Sequence, residues 1–380
     1  MYWRPYVKNS FLYELQIMRG TALLSVVLIH FMNICVLKLP EGDATYWVYY
    51  YLGILAQYSV PCFLLIASIL VSLSENKVSR NLPKFYMRKV PRIIIPYILW
   101  SILYILARYF TGSVTDTQIV SIRSWSFWLL WGKGYGHLYF VSIILQFYLV
   151  APLLLKLVKL LKDKFYLMLT LSALMQVLFY FVNKYYIFSR FPYPGTLLIR
   201  YLGIIIPGIW IGFNYAKTLT FLCKYWYYIG IVYLLSAGFY IYNSLRILNK
   251  LPIKSLNFQM AWYYYVLASS LLWLLFSYNL SKKQSKLKDG LTWLGKVSFG
   301  VYLIHPLCIA LFNRFIGFSN PILLLITLLL GVLAICTVVG KLVEMMSKTP
   351  FIGLLVGETR PPLCDENNTL IGASLLNLYK

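Results

Sequence analysis

The chain has 380 residues, of which 60% are hydrophobic and only 12% are charged, and its mean hydropathy is +0.71. These values exclude a soluble domain and indicate a polytopic membrane protein. The net charge of +24 would suit a nucleic-acid partner. The Lys and Arg residues are distributed as in a membrane protein, however, so we expect the lipid bilayer as a partner and no nucleic acid.

Apolar runs long enough to cross a bilayer recur along the whole sequence. The sixth run differs from the others, because Pro207, Gly208 and Gly212 interrupt it and Arg200 lies near its start. The pattern predicts an all-α fold with about ten transmembrane helices in a single domain, 1–380, and a cytoplasmic tail, 346–380. The predicted spans are 15–37, 46–73, 93–110, 137–155, 165–183, 196–213, 221–242, 258–280, 292–312 and 321–343.

The positive-inside rule predicts the orientation of these spans. With the N-terminus inside, the loops and ends on that side hold 22 of the 35 Lys and Arg residues, against nine on the other side. Both termini are therefore expected in the cytoplasm, with the protein in a cell membrane. Glu14 and the absence of a small-residue cleavage site argue against a cleavable signal peptide.

Arg19 and His30 lie in the first predicted span, where a lipid-facing helix would exclude both. Eleven residues of α-helix amount to about 16 Å and close to three turns, so the two side chains point the same way. They predict a buried polar track from the cytoplasmic end of the span to its middle. The alternative is that Arg19 only anchors the cytoplasmic end of the helix.

The sequence has three histidines, and under this topology each lies in the outer half of its span or at the outer end. We hypothesise that His30, His137 and His305 converge on one outward-opening pocket, where a neutral imidazole could accept a proton. Zinc is the alternative ligand, but no two of them have helical ligand spacing and none has a carboxylate nearby, so no metal is predicted. Three polar side chains share helix faces with the histidines: Asn33, Tyr139 and Tyr302.

Two further features have structural interpretations. The six cysteines show no CxxC spacing, which predicts neither a disulfide framework nor a zinc site. The loop 111–136 carries Trp125, Trp128 and Trp131, which is typical of an amphipathic segment at the membrane interface.

Four segments resemble, in order, those of the acyltransferase-3 family, whose members are membrane O-acyltransferases of surface polysaccharides and related envelope molecules. The first has arginine, ten residues and histidine, as Arg19 and His30 do here. The others are Arg88-Lys-Val-Pro-Arg92-Ile-Ile-Ile-Pro96, His137-Leu-Tyr-Phe-Val-Ser-Ile-Ile-Leu-Gln146 and Ser298-Phe-Gly-Val-Tyr302-Leu-Ile-His305-Pro306. The resemblance extends from about residue 12 to 345. It departs at Gln16, where the family commonly has Asp, and at Lys89, where it has Arg, whose planar fork suits phosphate better.

The resemblance implies a chemistry. An acyl-CoA, most commonly acetyl-CoA in this family, would donate from the cytoplasm to a hydroxyl group of an extracytoplasmic polysaccharide or other envelope glycan. His30 would be the general base, and His137 and His305 would be further catalytic residues. The CoA phosphates would be bound by four basic residues: Arg19, Arg88, Lys89 and Arg92. By their placement on the predicted helices alone, three residues are candidates for stabilising the oxyanion or positioning the substrate: Tyr139, Tyr302 and Asn33. The family range implies a bacterial plasma membrane.

Two other classes of protein fit the same pattern. A transporter or exporter of polysaccharide or lipid-linked sugar also has many spans with buried charges. It should show internal repeats with paired broken helices, whereas only the Pro207-Gly208 break is evident. A structural or sensory subunit would tolerate replacement of Arg19 and His30. The acceptor, the acyl group and the oligomeric state cannot be derived from the sequence.

Overall fold

The computed structural model describes residues 12–39, 44–312 and 321–357, and these are helical with no strand. The two chain ends, which contribute to the predicted orientation, lie largely outside these ranges. The α-helices are α1 Tyr13–Lys38, α2 Ala44–Ala56, α3 Ser59–Leu73, α4 Glu75–Arg80, α5 Leu82–Phe110, α6 Asp116–Ile119, α7 Ile122–Trp131, α8 Tyr139–Lys159, α9 Phe165–Val182, α10 Leu202–Phe213, α11 Tyr215–Leu248, α12 Ser255–Ser281, α13 Lys286–Phe312, α14 Pro321–Ser347 and α15 Pro350–Gly353.

Nine helical segments of the described chain are long and apolar enough to cross a membrane, and Leu198–Phe213 is a shorter apolar helix. The all-α polytopic fold is thereby confirmed. The sixth predicted span, 196–213, is the short one. It begins with the 3₁₀ turn Leu198–Tyr201, and only Leu202–Phe213 is α-helical.

Two span boundaries differ from the prediction. The third span starts at Leu82 and not at residue 93, because the Asn81 side chain accepts a hydrogen bond from the Lys84 amide and caps the helix there. The basic motif 88–92 therefore lies on α5 and not in a loop before it. The second span is divided at Gln57 and Tyr58 into α2 and α3.

The expected interruption at Pro207, Gly208 and Gly212 is wrong, because α10 continues through all three. A Cβ atom on Gly208 would lie 2.7 Å from the Ser68 Cβ, and one on Gly212 would meet Ser72 in the same way. The glycines therefore let α10 approach α3 closely. Small residues spaced four apart are a common means of packing helices in membranes.

Helix α1 lies at the centre of the described structure and packs most extensively on α13. The approach is backbone to backbone: a Cβ on Gly295 would overlap the Gln16 carbonyl oxygen, and one on Gly20 would overlap that of Leu291. Such contacts fix α1 against α13 along the turns between Gln16 and Gly20, on the side of Arg19.

The first part of the predicted cytoplasmic tail, 346–380, is structured and packs on the helices. Helix α14 continues to Ser347, and α15 with the 3₁₀ turn Leu354–Val356 packs back against α5, α13 and α14. The rest of the predicted tail, 358–380, lies outside the described residues. Apolar Val356 is 3% exposed, and burial of such side chains favours this return.

Candidate functional site

The three histidines come together, although they belong to segments far apart in the sequence. The ring centroids of His30 and His305 are 5.0 Å apart, and those of His137 and His305 are 5.4 Å apart. His305 is fully buried and lies between the other two rings. The three rings thus converge, as hypothesised from the sequence.

His137 is placed by a short loop that other residues fix. Gly132 ends α7 in the left-handed conformation with φ of 64°, where a Cβ would overlap the Tyr139 backbone. Arg108 on α5 donates to the carbonyls of Lys133 and Gly134, at 3.2 and 3.1 Å. The Tyr302 hydroxyl donates to the carbonyl of His137 itself. These contacts hold the loop where α8 begins.

His305 has a defined tautomer. Its Nδ1 lies 2.7 Å from the Tyr302 carbonyl oxygen. Because a carbonyl only accepts, Nδ1 carries the proton, and Nε2 has a free lone pair. Among the described residues this Nε2 and both ring nitrogens of His137 have no hydrogen-bond partner. Buried polar atoms are rarely left so, and their clustering is typical of a functional site.

A cavity of about 250 Å³ opens beside the histidines, and we name it the histidine cavity. Gln57 and Gly136 are exposed at its margin. Its polar and aromatic lining consists of His30, Gln57, His137, Tyr139, Arg200, Tyr201, Trp262 and Tyr302.

A second cavity, of about 560 Å³, contains Arg19, and we name it the arginine cavity. Lys296 also lines it, as do the aromatic residues Tyr148 and Trp293. Arg19 forms no salt bridge with any carboxylate of the described chain. Because an unpaired guanidinium in a membrane protein is costly, the cavity is suited to an anionic ligand.

The two cavities meet at Tyr302, which lines both. Phe140 lines the arginine cavity and packs edge-on against the Tyr302 ring, with centroids 5.6 Å apart. Arg19 and His30 lie on the same helix, about 16 Å apart by helical rise, and each faces one cavity. The cavities are therefore arranged one above the other along α1.

Other predicted site residues lie elsewhere. Lys89 and Arg92 are exposed on α5 and are not among the lining residues of the arginine cavity. The Lys89 Nζ lies 5.7 Å from the centroid of Tyr148, which does line it, so Lys89 is near the cavity rim. The side chain of Arg88 lies outside the described part of the structure. Asn33 is exposed and does not line the histidine cavity.

Sequence reasoning gave no role to four polar lining residues: Gln57, Arg200, Lys296 and Glu344. The sequence could have indicated two of them, Arg200 and Lys296. Both are basic residues inside predicted spans, where a charged side chain usually marks a functional site. Glu344 accepts from the Trp293 indole at 3.1 Å and from Lys341 at 3.0 Å. Nothing in the sequence distinguished Gln57.

The arginine cavity has a wall made by the C-terminal turn. Val356 and Gly357 line it, and the Trp100 indole donates to the Leu355 carbonyl at 2.9 Å. Gly357 has φ of 76°, and a Cβ there would lie 2.8 Å from the Arg92 carbonyl oxygen. Residues beyond 350 therefore contribute to this cavity.

Metal coordination is the alternative to acid–base chemistry for the histidines. Within residues 12–39, 44–312 and 321–357, no group of three or more His, Cys, Asp or Glu residues is arranged to bind a metal ion.

The fold and the two cavities define a multi-pass membrane protein with a buried polar site. A family profile described as "Acyltransferase domain" matches residues 12–341. The chain therefore belongs to the acyltransferase-3 family.

Two relatives are similar to this chain over most of its length. A Staphylococcus aureus (strain MRSA252) protein is 23% identical over 345 residues, which cover 87% of this chain and 92% of the relative. A Staphylococcus epidermidis protein is 24% identical over 341 residues, covering 87% and 91%. Both are named "Probable poly-beta-1,6-N-acetyl-D-glucosamine export protein". No solved structure matches the chain significantly.

Proposed function

We propose that the protein is a membrane O-acyltransferase that moves an acyl group, acetyl being the first expectation, from acyl-CoA to a hydroxyl group of an extracytoplasmic exopolysaccharide. The observation that carries this proposal is the pair of cavities that meet at Tyr302, one containing Arg19 and the other containing His30. A cationic site for a donor and a basic site for an acceptor are thus adjacent.

The positive-inside orientation supplies the direction of transfer in this proposal. With both termini in the cytoplasm, the Arg19 end of α1 lies on the cytoplasmic side and His30 lies deeper in the membrane. The arginine cavity then receives the donor from the cytoplasm, and the histidine cavity receives the acceptor from outside. The protein would be in a bacterial plasma membrane.

The arginine cavity suits the phosphate groups of an acyl-CoA in charge, and its volume is typical of a small-molecule site. Arg19 and Lys296 supply cationic donors for phosphate oxygens, and Lys89 at the rim supplies another. The volume of about 560 Å³ lies within the range of roughly 300–1,000 Å³ that is usual for small-molecule sites. The thioester end would point towards Tyr302 and the histidine cavity.

His30 is proposed as the general base. It takes the proton of the acceptor hydroxyl while the hydroxyl oxygen bonds to the thioester carbonyl carbon. The carbon–sulfur bond then breaks, and the proton passes from His30 to the departing sulfur, which leaves as the CoA thiol. A positioned base of this kind typically contributes about 10²–10⁴-fold in rate.

His305 is proposed as a positioning residue. The ring centroids of His305 and His30 are 5.0 Å apart. At this separation the His305 Nε2, which has a free lone pair, can accept a hydrogen bond from the His30 ring. That would fix the His30 tautomer and leave the other His30 nitrogen to act as the base, as orienting groups do in other base-assisted sites. His137 and Tyr139 line the same cavity and would donate to the oxyanion. The Tyr302 hydroxyl already donates to the His137 carbonyl, so Tyr302 would act by shaping the site.

The relatives' names point to the acceptor. Both are named for the export of poly-β-1,6-N-acetyl-D-glucosamine, and we extend that class of exopolysaccharide to this chain. The deciding experiment incubates purified protein in nanodiscs with acetyl-CoA labelled in the acetyl group and a β-1,6-linked N-acetylglucosamine oligosaccharide. Ester-linked label on the sugar is expected. Folded protein that neither binds CoA nor transfers label would overturn the proposal.

Export is the second candidate function, because both relatives are named as export proteins. An assay in proteoliposomes distinguishes export from acyl transfer. An exporter moves the labelled oligosaccharide across the bilayer without any acyl-CoA. An acyltransferase leaves the oligosaccharide on its own side and esterifies it only when acyl-CoA is present on the opposite side.

Arg19→Ala is expected to raise the KM for acyl-CoA at least tenfold while kcat falls less than threefold. Loss of a hydrogen bond to a charged group costs about 1.5–3 kcal/mol, and a phosphate contact far from the thioester contributes to binding rather than to the chemical step. Initial rates at varied acyl-CoA measure this. Arg246→Ala is the matched control, because Arg246 is half-buried and binds the Pro252 carbonyl outside both cavities. A kcat loss without a KM change would contradict the assignment.

Gly357→Val is expected to raise the KM for acyl-CoA several-fold and to leave the KM for the acceptor unchanged. Valine strains the left-handed backbone by roughly 1–2 kcal/mol and would displace the turn that walls the arginine cavity. Gly112→Val is the control, since Gly112 has φ of 74° but has open space around its Cβ position. An equal effect of both variants would show that the turn has no specific role at the donor site.

A further inference from the structure

The histidine cavity contains a positively charged side chain that has no role in the proposed chemistry. Arg200 lines it, and none of its described lining residues is acidic. Within the described chain, Arg200 forms no salt bridge and its side chain makes no hydrogen bond. The guanidinium donors are therefore open to a ligand in the cavity.

Arg200 is held in place although it lacks an acidic partner. Its Cζ lies 4.9 Å from the ring centroid of Trp262, which is buried. Its backbone lies in the 3₁₀ turn Leu198–Tyr201, where the Gln176 amide donates to the Arg200 carbonyl at 3.0 Å. Gln146 accepts from the Leu198 amide at 2.9 Å. A guanidinium fixed in this way on an aromatic face presents its N–H edge with little loss of freedom on binding.

Gln57 is a second donor at the cavity margin. The Tyr240 hydroxyl lies 2.7 Å from Oε1 of Gln57 and donates to it. The Gln57 NH₂ group is therefore the part of the side chain left to interact with a ligand. The break between α2 and α3 places Gln57 in this position.

We propose that Arg200, held by Trp262, and Gln57 form an acceptor subsite that selects sugar residues whose amino group is N-acylated over residues with a free amine. The inference rests on the proposed amino-sugar acceptor. An amide carbonyl oxygen accepts hydrogen bonds from both donors. A protonated amine offers no acceptor and meets a like charge in a cavity that has no carboxylate to offset it.

The test measures binding, with no acyl donor present. Three β-1,6-linked trisaccharides are titrated into wild-type protein in nanodiscs: the N-acetylglucosamine form, the free-amine form and the glucose form. We expect the N-acetylglucosamine form to bind most tightly and the glucose form about tenfold more weakly, as the loss of one hydrogen bond to a charged group implies. The free-amine form is expected to bind weakest. Equal Kd values for the N-acetylated and free-amine forms would overturn the proposal.

Two substitutions separate the contributions of charge and geometry. Arg200→Gln is expected to remove the penalty on the free amine, so that its Kd approaches that of the glucose form. Arg200→Lys retains the charge but loses the planar fork, so it should still exclude the amine and lose the tenfold preference for N-acetyl over glucose. Arg246→Gln is the control, because Arg246 also lies over an aromatic ring, that of Tyr242, but outside the cavity. An unchanged wild-type ranking in both Arg200 variants would overturn the proposal.

Binding and acyl transfer are measured independently, so the two proposals can fail separately. The expected ranking, in folded protein that neither binds CoA nor transfers label, would support the subsite and overturn the acyltransferase proposal. Transfer of label to N-acetylated and free-amine acceptors with equal Kd would overturn the subsite alone.

Discussion

His30→Ala is expected to lower acyl transfer by about 10²–10⁴-fold, the usual contribution of a positioned general base. The Kd for acyl-CoA should stay within twofold of wild type, because His30 lines the histidine cavity and not the arginine cavity. Labelled-acyl transfer and CoA binding, measured on the same preparation, check both parts.

The control for this variant lies on the same helix. Asn33 is three residues further along α1, is exposed and does not line the histidine cavity. Asn33→Ala should therefore retain transfer within about twofold of wild type, whereas its position three residues after His30 made Asn33 a candidate for positioning the substrate. If His30→Ala kept most of the activity, the base would have to be another group, and His137 would be the first to test.

Gly295→Val is expected to prevent formation of a stable native protein or to lower its free energy of unfolding by more than about 1–3 kcal/mol, the usual cost of overpacking. A side chain at this position would overlap the Gln16 carbonyl oxygen, and neither backbone can move without displacing its helix. Yield of monodisperse protein and thermal unfolding in detergent measure the effect.

Gly290→Val is the matched control, because Gly290 lies on the same helix, α13, with open space at its Cβ position. Valine favours the helix slightly more than glycine, so this variant should be at least as stable as wild type. Equal stability of the two variants would contradict the close packing of α1 on α13. That packing also sets the site, since Arg19 and His30 belong to α1 whereas Tyr302 and His305 belong to α13.

Hydropathy was enough to predict the all-α membrane fold. A segment that crosses the bilayer must be apolar over its length and must satisfy its backbone hydrogen bonds within a helix, whatever its neighbours are. The start of α5 was missed for a local reason. Basic residues lower the hydropathy before residue 93, yet the Asn81 cap begins the helix at Leu82. The glycines of α10 were predicted to interrupt the helix. Their effect depends on the partner helix, and here they pack against serines of α3.

The candidate site was predictable where it contains residues that are unusual in apolar surroundings. Arg19, His30 and His305 could be selected in this way, and all three belong to the pair of packed helices. Gln57 and Trp262 could not, because each is ordinary in its own segment. They become part of a cavity only through a helix break at residue 57 and a 3₁₀ turn that carries Arg200. Such a juxtaposition depends on tertiary packing alone.

Tyr302 has a consequence for the membrane as an electrical barrier. Where water enters both cavities, the Tyr302 ring, which lines both, and the Phe140 ring packed on it would separate the two bodies of water. The transmembrane potential, about 2.3 kcal/mol per elementary charge per 100 mV, would then fall mainly across these two rings. A charge displaced between the cavities would experience most of that voltage. In the proposed two-sided reaction, the ring pair would therefore limit the leakage of protons and ions between the cavities.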